Sequence, residues 1–193
     1  MRKLVYYVAT TIDGFIAPPG GGDPSGEPYF AVTPDLVAFI VENYPETLPA
    51  PARAAMGIDG PGRAFDTVLE GRASYEIGLA AGLTDAYPHL RHLVFSTSMS
   101  DSPGPAVEVV RENALDRVRA LKAQDGLDLW LVGGGTLAHS LLPEIDRLVL
   151  KVNPWVIGAG IPLFAGAFSP TTFRAVGEKE LAGGVRVVTY DRA

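Results

Sequence analysis

Leu129-Trp130-Leu131-Val132-Gly133-Gly134-Gly135-Thr136 decides how the rest of the chain is read: a short apolar run, three glycines, then residues able to open a helix. A strand buried on both faces of a parallel sheet carries this continuous apolar character. The glycines let the backbone turn sharply and offer its N–H groups with no Cβ in the way, which suits a pyrophosphate. The same run also serves as a plain turn where a helix packs on a sheet, and its spacing is not the GxGxxG dinucleotide fingerprint.

The pattern repeats upstream. Leu69-Glu70-Gly71-Arg72-Ala73-Ser74-Tyr75-Glu76 again leads from an apolar strand through glycine into a helix, whose first turn offers unpaired N–H groups to an anion. Arg72 adds a planar cation suited to a phosphomonoester and Ser74 a hydroxyl donor, although an exposed arginine on a tight turn has the same sequence. Val94-Phe95-Ser96-Thr97-Ser98 places hydroxyls where a strand ends, the edge at which open α/β sheets bind ligands.

Strands near 65–69, 93–96, 106–110 and 127–132 alternate with helices opening near Arg72, Asn113 and Leu137, which predicts parallel strands joined by crossover helices. Leu4 to Thr10 is a first buried strand that ends at the Asp13-Gly14 turn. Thr33-Pro34-Asp35 supplies an N-cap hydroxyl, a proline at the first helical position and an acid in the first turn, so a helix runs to about Tyr44 and stops at Pro45. Residues 18–28 read as a mobile surface loop. Residues 45–63 read as an insertion or lid pinned by Met56 and Ile58. After residue 147 extended segments follow one another, and Gly183-Gly184 joins the last two as an antiparallel hairpin.

The 193 residues are 47% hydrophobic and 20% charged, which excludes a disordered chain and fits one domain over 1–193. A net charge of −6 opposes binding to a nucleic-acid backbone. The apolar run after Met1-Arg2-Lys3 is too brief to span a membrane and has no cleavage site. With no cysteine there is no disulfide or thiolate chemistry, and a reducing cytoplasm is the easiest setting. His89, His92 and His139 have no metal-pair spacing and read as surface or packing residues, and Trp130 and Trp155 as core, so no metal is expected.

The ordered set Thr11-Ile12-Asp13-Gly14-Phe15-Ile16-Ala17, Gly71-Arg72-Ala73-Ser74-Tyr75-Glu76, Phe95-Ser96-Thr97 and Val132-Gly133-Gly134-Gly135-Thr136 resembles the dihydrofolate reductase superfamily. With Gly158-Ala159-Gly160-Ile161-Pro162-Leu163-Phe164 it is most similar to the reductase half of the bifunctional riboflavin-biosynthesis deaminase/reductase.

The resemblance implies a three-layer α/β/α fold with a mostly parallel sheet ending in an antiparallel hairpin, NADPH as cofactor, a small heterocyclic or ribosylamino substrate, and a homodimer. It implies that Gly71, Arg72, Ala73, Ser74, Ser96 and Thr97 hold the adenosine-side phosphates. It also implies that Gly133, Gly134, Gly135 and Thr136 meet the pyrophosphate, and that Ala9, Ile16 and Ala17 flank the nicotinamide. Hydride transfer needs a proton source, for which Asp35 and Asp13 are the candidates. An acid is also ordinary in any first helical turn, and Asp-Gly in any turn. Arg53, Arg63, Lys151 and Arg174 are further candidate phosphate partners. Dihydrofolate reduction and non-catalytic NADP binding are the alternatives.

Overall fold

The computed structural model describes residues 1–26, 28–30 and 32–193. In chain order the main elements are β1 (Leu4–Thr11), β2 (Phe15–Ala17), α1 (Pro34–Asn43), α2 (Ala50–Ala55), β3 (Phe65–Gly71), α3 (Arg72–Ala80), β4 (Arg91–Phe95) and β5 (Val107–Val110). They continue with α4 (Ala114–Lys122), β6 (Asp128–Gly133), α5 (Gly135–Ser140), β7 (Ile145–Asn153), β8 (Ile161–Pro162), β9 (Phe173–Glu180) and β10 (Arg186–Arg192).

One eight-stranded sheet has the order β5-β4-β3-β6-β1-β7-β10-β9. Every pairing from β5 to β7 is parallel, and only β10 with β7 and β9 is antiparallel. Alternation along β1 sends Leu4 and Tyr6 to one face, against Val118 and Leu121 of α4 and Ala138 of α5. It sends Val5 and Tyr7 to the other face, against Leu36 and Phe39 of α1. On that second face Tyr75 of α3 covers Val94 and Val107. The fold is therefore the three-layer α/β/α arrangement with a mostly parallel sheet.

Thr33 caps α1 as its sequence predicts, its hydroxyl accepting from the Leu36 amide at 3.2 Å. Three expectations need correction. Residues 45–63 contain the short helix α2 and are pinned by charged side chains, while Met56 is exposed. The buried Glu46 carboxylate accepts from the amides of Arg63, Ala64 and Phe65 at 2.7–3.0 Å, and the Arg53 guanidinium donates to the carbonyls of Pro45 and Gly60. Backbone groups in this loop lack a ladder, so buried ions satisfy them where apolar packing could not. Trp155 lies beyond the end of β7 and is 48% exposed, whereas Trp130 is core. His92 is completely buried between two carboxylates and is not a bland packing residue. Among the described residues no helix is long and apolar enough to cross a membrane, and no His/Asp/Glu group could hold a metal ion.

Candidate functional site

The parallel strands place the carboxyl ends of β4, β3, β6 and β1 side by side on one edge. Glu70 at the end of β3 is in register with Gly133 at the end of β6, which sets the two glycine corners against each other. A Cβ built on Gly71 would lie 3.5 Å from the Gly133 carbonyl oxygen and 3.5 Å from the Gly134 amide nitrogen. The corners form one junction.

Glycine is required here for two separate reasons. Gly133 has φ +143°, a conformation L side chains rarely adopt, and a Cβ on Gly135 would collide with the Pro162 carbonyl. The Pro162–Ala165 strip is held against this corner by the Ala165 amide donating to Gly135 O at 3.0 Å and the Tyr6 hydroxyl donating to Leu163 O at 3.1 Å.

In front of the junction lies a cavity of about 430 Å³. Ala9, Ile16, Ala17, Ala73, Ser74, Gly133 and Gly134 all line it, seven residues singled out from sequence. Gly71 stands against Gly133 and Gly134. Gly22, Asp23 and Pro24 of the early glycine-rich loop, Pro49 beside α2, and Leu83, Ala86 and Tyr87 after α3 also belong to the wall.

Arg72, Ser96, Thr97 and Thr136 lie outside the cavity on the exposed or half-exposed rim. Arg72 donates to the Ser98 hydroxyl at 2.8 Å and pairs with Glu76 one turn on, while Ser96 Oγ accepts from the amides of Ser98 and Met99. Gly135 is buried behind the cavity.

The two predicted carboxylates sit elsewhere. Asp13 accepts from the Thr11 hydroxyl at 2.6 Å and from the amides of Ile157 and Gly158, and these donors, led by Thr11, hold its carboxyl below its ordinary value. It fastens the Asp13-Gly14 turn to the loop after β7. Asp35 is exposed on the first turn of α1 and accepts from the Ala182 amide at 3.3 Å. Neither lines the cavity. Arg53 is committed to loop carbonyls, Arg63 to the Glu42 carbonyl, and Lys151 covers the Tyr7 ring with Nζ 3.9 Å from its centre. None of these cations, nor Arg174 on β9, lines the cavity either.

A buried acid that the motif reading passed over does reach it. Glu70, 3% exposed, lines the cavity, and its Oε1 is 2.6 Å from His92 Nε2. His92 Nδ1 is 2.8 Å from Asp85 Oδ1, which also accepts from the Tyr87 amide at 2.9 Å. Burial alone would disfavour the imidazolium, but the two carboxylates outweigh it and raise His92 above its ordinary value. The signal that could have found this chain is a charged residue inside each of two neighbouring apolar runs, Val68-Leu69-Glu70 and Leu90 to Phe95.

The RibD C-terminal domain family matches residues 87–187, just over half of the chain. The chain belongs to that family. It is 28% identical to the uncharacterized protein YwjB of Bacillus subtilis (strain 168) over 190 residues, covering 96% of each, and 24% identical to the uncharacterized YyaP of the same organism over 98% of this chain and 94% of that one. In fold it is similar to a protein named for riboflavin biosynthesis in Shewanella sp. PV-4, with TM-score 0.68, 22% identity and coverage of 100% and 99%. It is also similar to the diaminohydroxyphosphoribosylaminopyrimidine deaminase/5-amino-6-(5-phosphoribosylamino)uracil reductase of Thermotoga maritima, with TM-score 0.66 and 18% identity, where the whole chain spans 57% of that protein.

Proposed function

We propose that this RibD-type chain is an NADPH-dependent oxidoreductase that passes a hydride to a small heterocyclic or ribosylamino substrate, related to the aminouracil reductase activity of the Thermotoga protein. The observation that carries this reading is the meeting of the Gly71 and Gly133-Gly134 corners in front of one cavity lined by Ala9, Ile16, Ala17 and Ser74. The bare backbone at those corners fits a phosphate chain that passes close to it.

NADPH, when bound, supplies the hydride, and the protein's work is orientation. Ala9, Ile16 and Ala17 give a small apolar seat for a flat nicotinamide ring at the end of β1. A cavity of about 430 Å³ takes that ring and a small substrate, while the phosphates run out over the rim. There Arg72, Ser96, Thr97 and Thr136 supply a cation and hydroxyls, and Arg72 with Ser74 favours NADPH over NADH. Asp13 acts by fixing the turn that leads to Ile16 and Ala17, and Asp35 by tying α1 to the 181–185 turn.

A homodimer in the cytoplasm completes the proposal. The exposed Ile12, Trp155 and Val156, adjacent through the 2.9 Å bond from the Ile12 amide to the Trp155 carbonyl, are the apolar surface that supports it, and sedimentation checks it. Steady-state NADPH oxidation with aminouracil and dihydropterin substrates tests the activity. Turnover with one of them is expected, and absence of NADPH consumption with every heterocycle contradicts the reading.

A further inference from the structure

The cavity wall is mostly apolar, and its charged members among the described residues are Glu70 and Asp23, with no Lys, Arg or His present. Asp23 is exposed and caps its own loop, accepting from the Ser25 amide at 2.9 Å. Glu70 is enclosed. Among the described residues its one hydrogen-bond partner is His92, at Oε1, which leaves the other carboxylate oxygen unpartnered on a residue that lines the cavity.

Burying a carboxylate is costly unless its oxygens are satisfied, so a free acceptor here calls for a donor from the ligand. Its direction is fixed from behind. The chain Glu70–His92–Asp85 is hydrogen-bonded end to end, and the Tyr75 and Tyr87 rings meet the His92 ring edge-on at 5.7 and 5.9 Å. A phosphate oxygen set directly against this carboxylate would meet a like charge, whereas a ring N–H would meet an acceptor.

We propose that Glu70 anchors the substrate by its ring, an uncharged or cationic heteroaromatic with adjacent N–H donors. This rests on the reductase reading and narrows it. His92 and Asp85 are positioning residues that aim the Glu70 carboxylate.

The test uses the full chain, ¹H–¹⁵N amide shifts, and two probes, benzamidine as a flat cation with paired N–H groups and ribose 5-phosphate as the anion. Benzamidine is expected to saturate and to move the amides of Glu70, Ser74 and Gly133 and the ring nitrogens of His92, a response a merely structural histidine would not give. Glu70→Gln, which keeps the bond to His92, is expected to weaken benzamidine about tenfold. Ribose 5-phosphate is expected to leave the Glu70 amide and the His92 ring nitrogens unmoved, whatever it does at the Gly133–Gly134 corner. Ribose 5-phosphate moving the Glu70 amide and the His92 ring nitrogens in preference to benzamidine overturns the proposal, as does unchanged benzamidine affinity in Glu70→Gln. If that variant does not fold, the two-probe comparison on the natural chain decides alone. NADPH titrated into the same sample separates the two ideas: NADPH binding without a benzamidine response sinks only the anchor, and the reverse sinks only the reductase reading.

Discussion

The roof and floor of the cavity are built by opposite means. The roof, at Gly133 and Gly134 with Gly71 and Gly135 packed against them, is backbone without side chains, so its chemistry is that of bare N–H groups. The floor is Glu70, His92 and Asp85, three side chains from two strands and a loop, whose chemistry is charge held out of water. The contrast separates what a site needs for a polyanion from what it needs for a small ring. A roof fails by gaining an atom and a floor by losing one.

The largest effect is expected at the floor. His92→Gln takes away the ring that joins two carboxylates, and removing one partner of such a buried network typically costs about 3–5 kcal/mol, readable by urea unfolding. The pH dependence has a definite sign. The folded His92 value is raised, so its contribution is full below the unfolded value near 6.5 and fades as pH rises through the folded one. The gap between the natural chain and His92→Gln should therefore narrow on the alkaline side.

Gly135→Ala attacks the roof. Its methyl group meets the Pro162 carbonyl, and overpacking of this kind costs about 1–3 kcal/mol. NADPH affinity should fall with stability, whereas in His92→Gln stability should fall more than NADPH affinity. Equal losses of both in the two variants would erase the distinction between roof and floor. On the rim, Arg72→Ala should weaken NADPH about tenfold with little effect on NADH, measured by titration of each dinucleotide.

The smallest effect is expected outside the cavity. Burial lowers the Lys151 ammonium from 10.5 to about 8. The folded chain thus holds its proton less tightly than the unfolded one, and stability rises with pH between those values. Lys151→Met should melt higher than the natural chain at pH 7, and the advantage should shrink by pH 10.

This division also explains what could be read from the residues alone. The glycine corners and the Thr33 cap are local: their conformations are dictated within a few positions, so strand, turn and helix were legible, and with them seven of the cavity's residues. The floor joins residues 70, 85 and 92 across the β3–β4 pairing, and nothing local marks Glu70 as the acid that reaches the cavity while Asp13 and Asp35 do not. The 45–63 segment escaped for a similar reason, since its anchors Glu46 and Arg53 are charged residues satisfied by backbone groups up to nineteen positions away. Trp155 was misplaced because β7 ends at Asn153, before the apolar run does.

NADPH binding mapped onto the amides of the natural chain tests the central claim most directly. Saturable binding that moves Ala9, Ala17, Gly71, Ser74, Gly133 and Gly134 together, with Arg72 shifted at the rim, is the predicted result. An unchanged spectrum at millimolar NADPH, or shifts confined to a surface away from the β3 and β6 corners, would contradict it.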